Sequence, residues 1–373
     1  VRLKRVSTMT WLSGWGRRKK QTITGTTAGA QTNYQMRMTV HKGSGTDSAT
    51  DVYCGGNCRD DFGDIRWTQA DGTTLMDYWI EELVSGDYAV FWVKIPSIPA
   101  SPGTVDVYMY YDNPSATSLS DGQATFLVFD DFNRPDDGLG AYWTIEGATN
   151  GTWAIRNNTA QGYSPGGGYG NDANAYRPAD GNVAVRARFG NARDSYDYCG
   201  IGARYSSGVN GYLAWLDNYY DRITIERYTN NVRTRLAYVS HTIADNTYYE
   251  IEFRLFGNSL KVFENESEIV SATDDTYTTG GVWMNVHSAD GSATCNFDWI
   301  YARKYADPEP TWGAWGSEET PAVAYEKTLT ESLGLSDSVA KRPSVLKTEP
   351  LELADVYSRT WTATRSYTEP VAF

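Results

Sequence analysis

Tyr249-Glu-Ile-Glu-Phe-Arg-Leu255 alternates without a break, apolar or aromatic at odd positions and charged at even ones. Successive side chains of a β-strand point to opposite sheet faces, so the stretch reads as a strand with one packed face and one wet face. Its neighbours repeat the pattern in Val183-Ala-Val-Arg-Ala-Arg-Phe189, Arg222-Ile-Thr-Ile-Glu-Arg-Tyr228 and Ser259-Leu-Lys-Val-Phe263. Val282-Trp-Met-Asn-Val286 and Asn296-Phe-Asp-Trp-Ile-Tyr301 close the series. Residues 123–306 hold no convincing helical period, which predicts a large two-sheet sandwich.

Upstream, residues 15–122 have the same texture on a smaller scale. Strand-like runs cover 21–27, 34–41, 65–68, 75–82, 88–95 and 105–111, with turn signals such as Asp71-Gly72, Ser85-Gly-Asp87 and Pro102-Gly103 between them. Val90-Phe-Trp-Val93 is apolar throughout and is expected to be buried on both faces. An aromatic content of 14% with 35 Gly fits many short strands joined by tight turns. The fold class expected is all-β: two antiparallel β-sandwiches, the first small and jelly-roll-like, and then an extended repetitive C-terminal tail.

The ends differ from this body. Residues 1–14 read as a basic arm, and 307–320 as a linker whose Trp312-Gly-Ala-Trp315 forms a packing lid over the sandwich end. In 321–373 a short unit recurs as Thr330-Glu-Ser-Leu-Gly-Leu335, Thr348-Glu-Pro-Leu-Glu-Leu353 and Thr368-Glu-Pro-Val-Ala-Phe373. A unit this short cannot bury a core of its own and needs neighbours to stack on. Two readings stand: a strand-bearing stalk or donated strand that mediates self-association, and an acidic-polar linker.

Net charge is −13, yet the first 20 residues carry seven basic side chains and no acid. The acidic body would repel phosphates, so nucleic acid is not an expected partner. The basic start is either a solvated arm or a contact for another subunit of the same assembly. No apolar run approaches the ~18 residues of a membrane span. With Val1 as the true start no export signal precedes the body, which favours a virus particle.

Four cysteines occur, with no C-x-x-C pair, and the three histidines lie far apart, so zinc is not expected. Cys54 and Cys58 bracket a short glycine-containing loop that a disulfide could close, and Cys199 and Cys295 could join two strands; four reduced, buried thiols are the alternative. Asn-x-Ser/Thr triplets at Asn150, Asn157 and Asn265 lean toward an extracellular setting.

Sugar recognition stacks aromatic rings on a pyranose face flanked by polar hydrogen-bonding groups. The densest such group is Tyr212, Trp215, Asp217, Tyr219, Tyr220 and Arg222, with Arg204 nearby in sequence. Along one strand Tyr212, Ala214 and Leu216 face one way and Leu213, Trp215 and Asp217 the other, so one groove cannot hold both rings without a bulge. Core packing explains Trp215 as well as sugar stacking does.

Cys58-Arg-Asp-Asp-Phe-Gly-Asp-Ile-Arg-Trp-Thr68, Leu75-Met-Asp-Tyr-Trp-Ile-Glu-Glu82, Phe91-Trp-Val-Lys-Ile-Pro96 and Val107-Tyr-Met-Tyr-Tyr-Asp-Asn-Pro114 resemble a domain of unknown function, over about 11–120. The resemblance implies a setting in archaeal or bacterial surface proteins, ahead of lectin-like sandwiches. Phe129-Asp-Asp-Phe132, Gly200-Ile-Gly-Ala-Arg-Tyr205, Asn210-Gly-Tyr-Leu-Ala-Trp-Leu-Asp217 and Phe297-Asp-Trp-Ile300 are similar to concanavalin A-like lectin/glucanase domains, over about 124–305. That sandwich hosts hydrolases, lectins and adhesive spacers alike.

Sandwich glucanases carry Glu-x-Asp-x-x-Glu on one strand, and no such string exists here. Glu250-Ile-Glu252 lacks the third acid and Glu226 stands beside Arg227, so these read as solvated strand faces and no enzyme is expected. Asp130, Asp131 and Asp298 could gather where the sandwich begins and ends, and the resemblance supports a structural Ca²⁺ there. The alternative caps a turn with Asp131 and pairs Asp298 with Arg303 or Lys304. The functional expectation is a non-enzymatic structural or adhesive subunit of a virion, filament or cell-surface assembly. A stand-alone glycan-binding adhesin is the first alternative and a glycan-cleaving enzyme the second.

Overall fold

A computed structural model describes residues 11–146, 151–166, 173–179, 181–191, 197–288, 291–321, 324–330 and 364–370. The chain is nearly all strand. β1 (Arg17–Thr24), β2 (Gln31–His41), β3 (Asp51–Tyr53), β4 (Arg66–Gln69), β5 (Tyr78–Val84), β6 (Tyr88–Ile98) and β7 (Thr104–Tyr111) build the first sandwich, completed by the late strand β23 (Thr311–Glu319). Its sheets run β23-β1-β7-β4 and β3-β2-β6-β5, antiparallel except for β2 against β3. Between them pack Tyr34, Met38, Val40, Phe62, Trp67, Phe91, Ile95 and Met109.

One helical turn, α1 (Gly122–Thr125), leads into the second sandwich, with the Asp121 carboxylate accepting from the Ala124 N–H at 2.9 Å. There follow β8 (Val128–Asp130), β9 (Thr144–Glu146), β10 (Thr152–Arg156), β11 (Thr159–Ser164), β12 (Ala173–Ala179), β13 (Val183–Asn191), β14 (Asp197–Ser206), β15 (Asn210–Asp217), β16 (Arg222–Thr229), β17 (Val232–Ser240), β18 (Tyr249–Phe256), β19 (Ser259–Glu264), β20 (Ser267–Thr273), β21 (Gly280–Ser288) and β22 (Ala293–Lys304). An eight-stranded sheet runs β10-β11-β22-β13-β18-β19-β20 with β8 beside β22, and a seven-stranded sheet runs β17-β16-β15-β14-β21-β12-β9. Their facing side chains, among them Val185, Ile201, Leu216, Phe253 and Met284, form the larger core. Cys199 of β14 and Cys295 of β22 are disulfide-bonded and staple the two sheets together. Cys54 and Cys58 are free, buried thiols.

Three sequence expectations need correction. Residues 311–319 are not a lid over the second sandwich: β23 returns to the first one and pairs with β1. Trp312 and Trp315 each lie 6.2 Å from Trp67, so the indoles settle in the first core. The second half of the basic cluster is likewise paired within the chain, while Arg2, Lys4 and Arg5 lie outside the described residues. Arg17 to Lys20 sit on β1 between two acid-bearing strands: Arg17 pairs with Asp112 (3.2 Å) and Glu318, Arg18 with Glu319 (2.7 Å), and Lys20 with Asp106 (3.1 Å). Lys19 reaches Asp47 at 2.7 Å. Glu252 is the third correction. It is 5% exposed, because the outer face of the eight-stranded sheet lies against the first sandwich.

That junction has an aromatic part and an ionic part. Trp92 of β6 packs with Phe126 and Tyr301 at ring distances of 5.9 and 5.8 Å, which explains why Val90 to Val93 is buried on both faces. Beside it Arg303 binds Glu252 (3.1 Å) and Glu309 (2.6 Å), Arg254 binds Glu252 (2.6 Å), and Arg186 binds Glu250 (2.9 Å). Burial pushes the Glu252 carboxyl up, but Arg303 and Arg254 outweigh it and hold the pKa below the ordinary range.

In the separate C-terminal unit, residues 320–373, β24 (Ala324–Thr330) pairs antiparallel with β25 (Thr364–Pro370). The first two repeat units fall almost wholly within residues 331–363, outside the described residues, as do residues 1–10 of the arm. No helix among the described residues is long and apolar enough to cross a membrane.

Candidate functional site

The outer face of the seven-stranded sheet gathers most of the polar and aromatic side chains singled out in the sequence. Register makes the rows explicit. Asn174, Asn285, Gly200, Trp215, Thr224 and Tyr238 lie side by side across β12, β21, β14, β15, β16 and β17. The next row is Tyr176, Trp283, Gly202, Leu213, Glu226 and Arg235. His287, Tyr198, Asp217 and Arg222 form a third. Gly202 has a local reason: a Cβ there would stand 1.4 Å from Trp283 Nε1, so glycine lets the indole lie flat and donate to the Tyr212 carbonyl at 2.9 Å.

Seven residues were expected to bind sugar, and the structure divides them. Tyr212 points into the core, where its hydroxyl donates to Asp274 at 2.6 Å; burial and this bond push its pKa up to about 12. Arg204 is also unavailable. At φ 56° in a break of the β14 register, it is 1% exposed and donates to the carbonyls of Gly181 (2.7 Å) and Tyr277 (2.8 Å). No bulge turns Tyr212 and Trp215 to one side, so they keep to opposite faces. Trp215 forms the buried base of the outer face, 5.7 Å from Tyr198 and 6.5 Å from Tyr228.

The remaining four come together at the sheet edge. Asp217 accepts from Arg222 Nε at 2.6 Å and from the Tyr220 N–H at 3.2 Å, which fixes the turn after β15. The Arg222 guanidinium lies over Tyr220 (4.1 Å) and Tyr238 (5.6 Å). Tyr219, Tyr220 and Tyr238 are 44%, 56% and 58% exposed, unusual values for large rings in a chain with so many buried ones. Beside them opens a hollow of about 490 Å³ lined by Asn218, Tyr219, Asp221, Thr242 and Asp245. Inward from this rim, along the row ending at Tyr238, Thr224 Oγ1, Trp215 Nε1 and Asn285 Oδ1 are buried without a hydrogen-bond partner.

Sequence reasoning missed two members. Tyr238 carries no signal until strand pairing sets it beside Thr224. Glu226 is not solvated: it is 1% exposed, 3.3 Å from both Arg233 and Arg235. Burial pushes its carboxyl up, and the two arginines offset only part of this. A glycosidase pair needs two carboxyl groups about 5–10 Å apart across a sugar, one of them ready to donate a proton. Here Glu226 is held by two arginines and Asp217 by one.

Among the described residues the three aspartates are not gathered into one metal-binding group. Asp130 already accepts from Arg134 (2.6 and 3.1 Å), Trp143 Nε1 (2.8 Å) and the Phe132 N–H (2.9 Å). Asp298 pairs with Arg188, not with Arg303 or Lys304, and Asp131 accepts from the Asn133 N–H at 3.1 Å. Each carboxylate is turned to a donor, and among the described residues no group of three or more His, Cys, Asp or Glu could hold a metal.

Residues 61–146 match a family model described as a domain of unknown function (DUF2341). No curated protein matches the chain. Among solved structures, the carbohydrate binding module CBM66 from Bacillus subtilis aligns with TM-score 0.39 and 22% identity, over 46% of this chain and 100% of that one. A β-1,3-1,4-glucanase (lichenase) from a mouse hindgut metagenome aligns with TM-score 0.39 and 12% identity, over 48% and 99%. The Bacillus licheniformis β-glucanase gives TM-score 0.38 and 14% identity, over 48% and 98%.

Proposed function

We propose that this chain is a non-enzymatic structural or adhesive protein of a virion, filament or cell surface whose second sandwich binds glycan at the tyrosine edge of its seven-stranded sheet. The observation that carries the reading is the platform of Tyr220 and Tyr238 around Arg222, with Tyr219 edge-on to Tyr220 at 4.4 Å, open beside a polar hollow. Exposed rings supply the apolar faces on which pyranoses stack, while Arg222, Asn218 and Asp245 offer hydrogen bonds to hydroxyls. The Cys199–Cys295 disulfide suits an oxidising exterior.

The test is a glycan array followed by titration of any hit. Tyr220→Ala and Tyr238→Ala are each expected to weaken binding about tenfold or more, in line with the loss of one hot-spot ring. Absence of any binder on a broad array, or binding indifferent to both substitutions, would overturn the reading. The subunit role is tested by electron microscopy of the purified chain: ordered assemblies support it, and a strict monomer at all concentrations opposes it.

A further inference from the structure

Resting on the glycan reading above, we infer that the hollow beside the tyrosine platform selects glycans with free amino groups, such as unacetylated glucosamine units, over neutral and acidic ones. Its lining carries two carboxylates, Asp221 and Asp245, and among the described residues no basic side chain. Both aspartates are exposed, so a ligand in the hollow can reach them. Each accepts from a neutral donor: Asp221 from the Ile243 N–H at 3.0 Å, and Asp245 from Asn218 Nδ2 at 2.7 Å. The acids around them differ. Asp217 is paired with Arg222 at 2.6 Å, Glu226 with Arg233 and Arg235, and Glu264 faces His241 at 2.9 Å. The hollow thus holds two negative charges without a paired cation, on a rim whose other acids have partners.

Hydrogen bonding points the same way. The donors of the lining are occupied within the chain: the Ala244 N–H donates to the Tyr249 hydroxyl at 2.8 Å, and the Ile243 N–H and Asn218 Nδ2 serve the two aspartates. What the hollow still offers is acceptance, through the carboxylates and Asn218 Oδ1, with the Thr242 hydroxyl able to act either way. A carboxylate has room for about four hydrogen bonds, and a primary ammonium brings three donors and no acceptor. Tyr219, 44% exposed on the same wall, adds a ring that attracts a cation to its face. A carboxylated or phosphorylated sugar would instead meet like charge. Exposed ion pairs are individually weak, so the selection is modest and fades with salt.

The experiment titrates the full chain at about pH 6, where the sugar amine is protonated, and follows heat. The probes are size-matched oligomers of glucosamine, N-acetylglucosamine and galacturonate. The glucosamine oligomer should bind about 5–10-fold more tightly than the acetylated one, and the galacturonate oligomer more weakly than either. About 0.5 M NaCl should erase the preference. Asp221→Asn and Asp245→Asn, both on exposed residues, keep an oxygen for the same N–H and should each cut the ratio of the two affinities about two- to threefold. Asparagine also tolerates the left-handed backbone of Asp221, at φ 48°. Tyr220→Ala should weaken both oligomers and leave their ratio in place. Equal or tighter binding of the acetylated or the galacturonate oligomer overturns the inference and leaves the glycan reading standing, whereas binding of no saccharide removes both. A ratio untouched by both aspartate substitutions overturns it as well. So does a lysine tetrapeptide that binds as tightly as the glucosamine oligomer, which would make the hollow a site for basic peptides.

Discussion

The second sandwich has two outer faces, and they have met opposite fates. On the eight-stranded sheet Arg186, Glu252, Tyr301 and Arg303 point outward, and the first sandwich covers them. On the seven-stranded sheet Trp215, Asp217 and Glu226 point outward from strands of the same alternating kind, and the face ends in exposed tyrosines. The two buried acids summarise the contrast. Glu252 has arginines close enough to outweigh its desolvation, whereas Glu226 does not. Alternation assigns a side chain to a side of the sheet; what lies beyond that side sets its energy.

The largest effect that could break this comparison is loss of the staple between the two sheets. Reducing Cys199–Cys295, which spans 96 residues, should cost about 4–5 kcal/mol on a chain-entropy account. A urea midpoint unmoved by reductant would show that the sheets do not depend on it. Next comes the junction. Glu252→Ala leaves Arg254 without its carboxylate and Arg303 with Glu309 alone, and should destabilise by about 3–5 kcal/mol. Replacing Glu252 with Leu and Arg303 with Met together should recover most of that, and a double variant as weak as the single one would discredit the network.

A smaller effect has opposite signs on the two faces. Glu252, with its folded pKa depressed, stabilises fully above its unfolded value near 4.3 and loses that contribution as pH falls through the folded one. Glu226, with its pKa raised, contributes below the unfolded value and loses it as pH rises through the folded one. Relative to wild type, Glu252→Gln should therefore look worse at pH 7 than at about pH 3, below the unfolded value, and Glu226→Gln better. Denaturation midpoints at both pH values decide, and equal signs would erase the contrast. The smallest expected change is in stability at the rim: Tyr220→Ala should stay within about 0.5 kcal/mol, since its ring is more than half exposed.

Period-two stretches made the strands legible. Val183 to Phe189, Tyr249 to Leu255 and Val282 to Val286 fall inside β13, β18 and β21. The separation of Tyr212 from Trp215 follows from the same geometry. The three-residue β3 escaped notice because so short a run has no period, and its parallel pairing with β2 is a tertiary choice. Trp312 and Trp315 were readable as packing residues, yet their target was not, since β23 joins a sheet whose other strands lie about 200 residues earlier or more. The candidate site was half legible: Tyr219, Tyr220 and Arg222 cluster in sequence, while Tyr238 arrives only through strand pairing.

Sequence alone determined that this chain folds into strands and which side chains of each strand share a face, because a pleated backbone has a period of two whatever surrounds it. Tertiary structure alone decided which outer face is covered and which presents tyrosines. It also decided that β23 crosses back to the first sandwich and that Arg17 to Lys20 are neutralised within the chain. Those outcomes depend on contacts between residues hundreds of positions apart, whose closure is settled by packing and charge compensation in three dimensions rather than by any local preference.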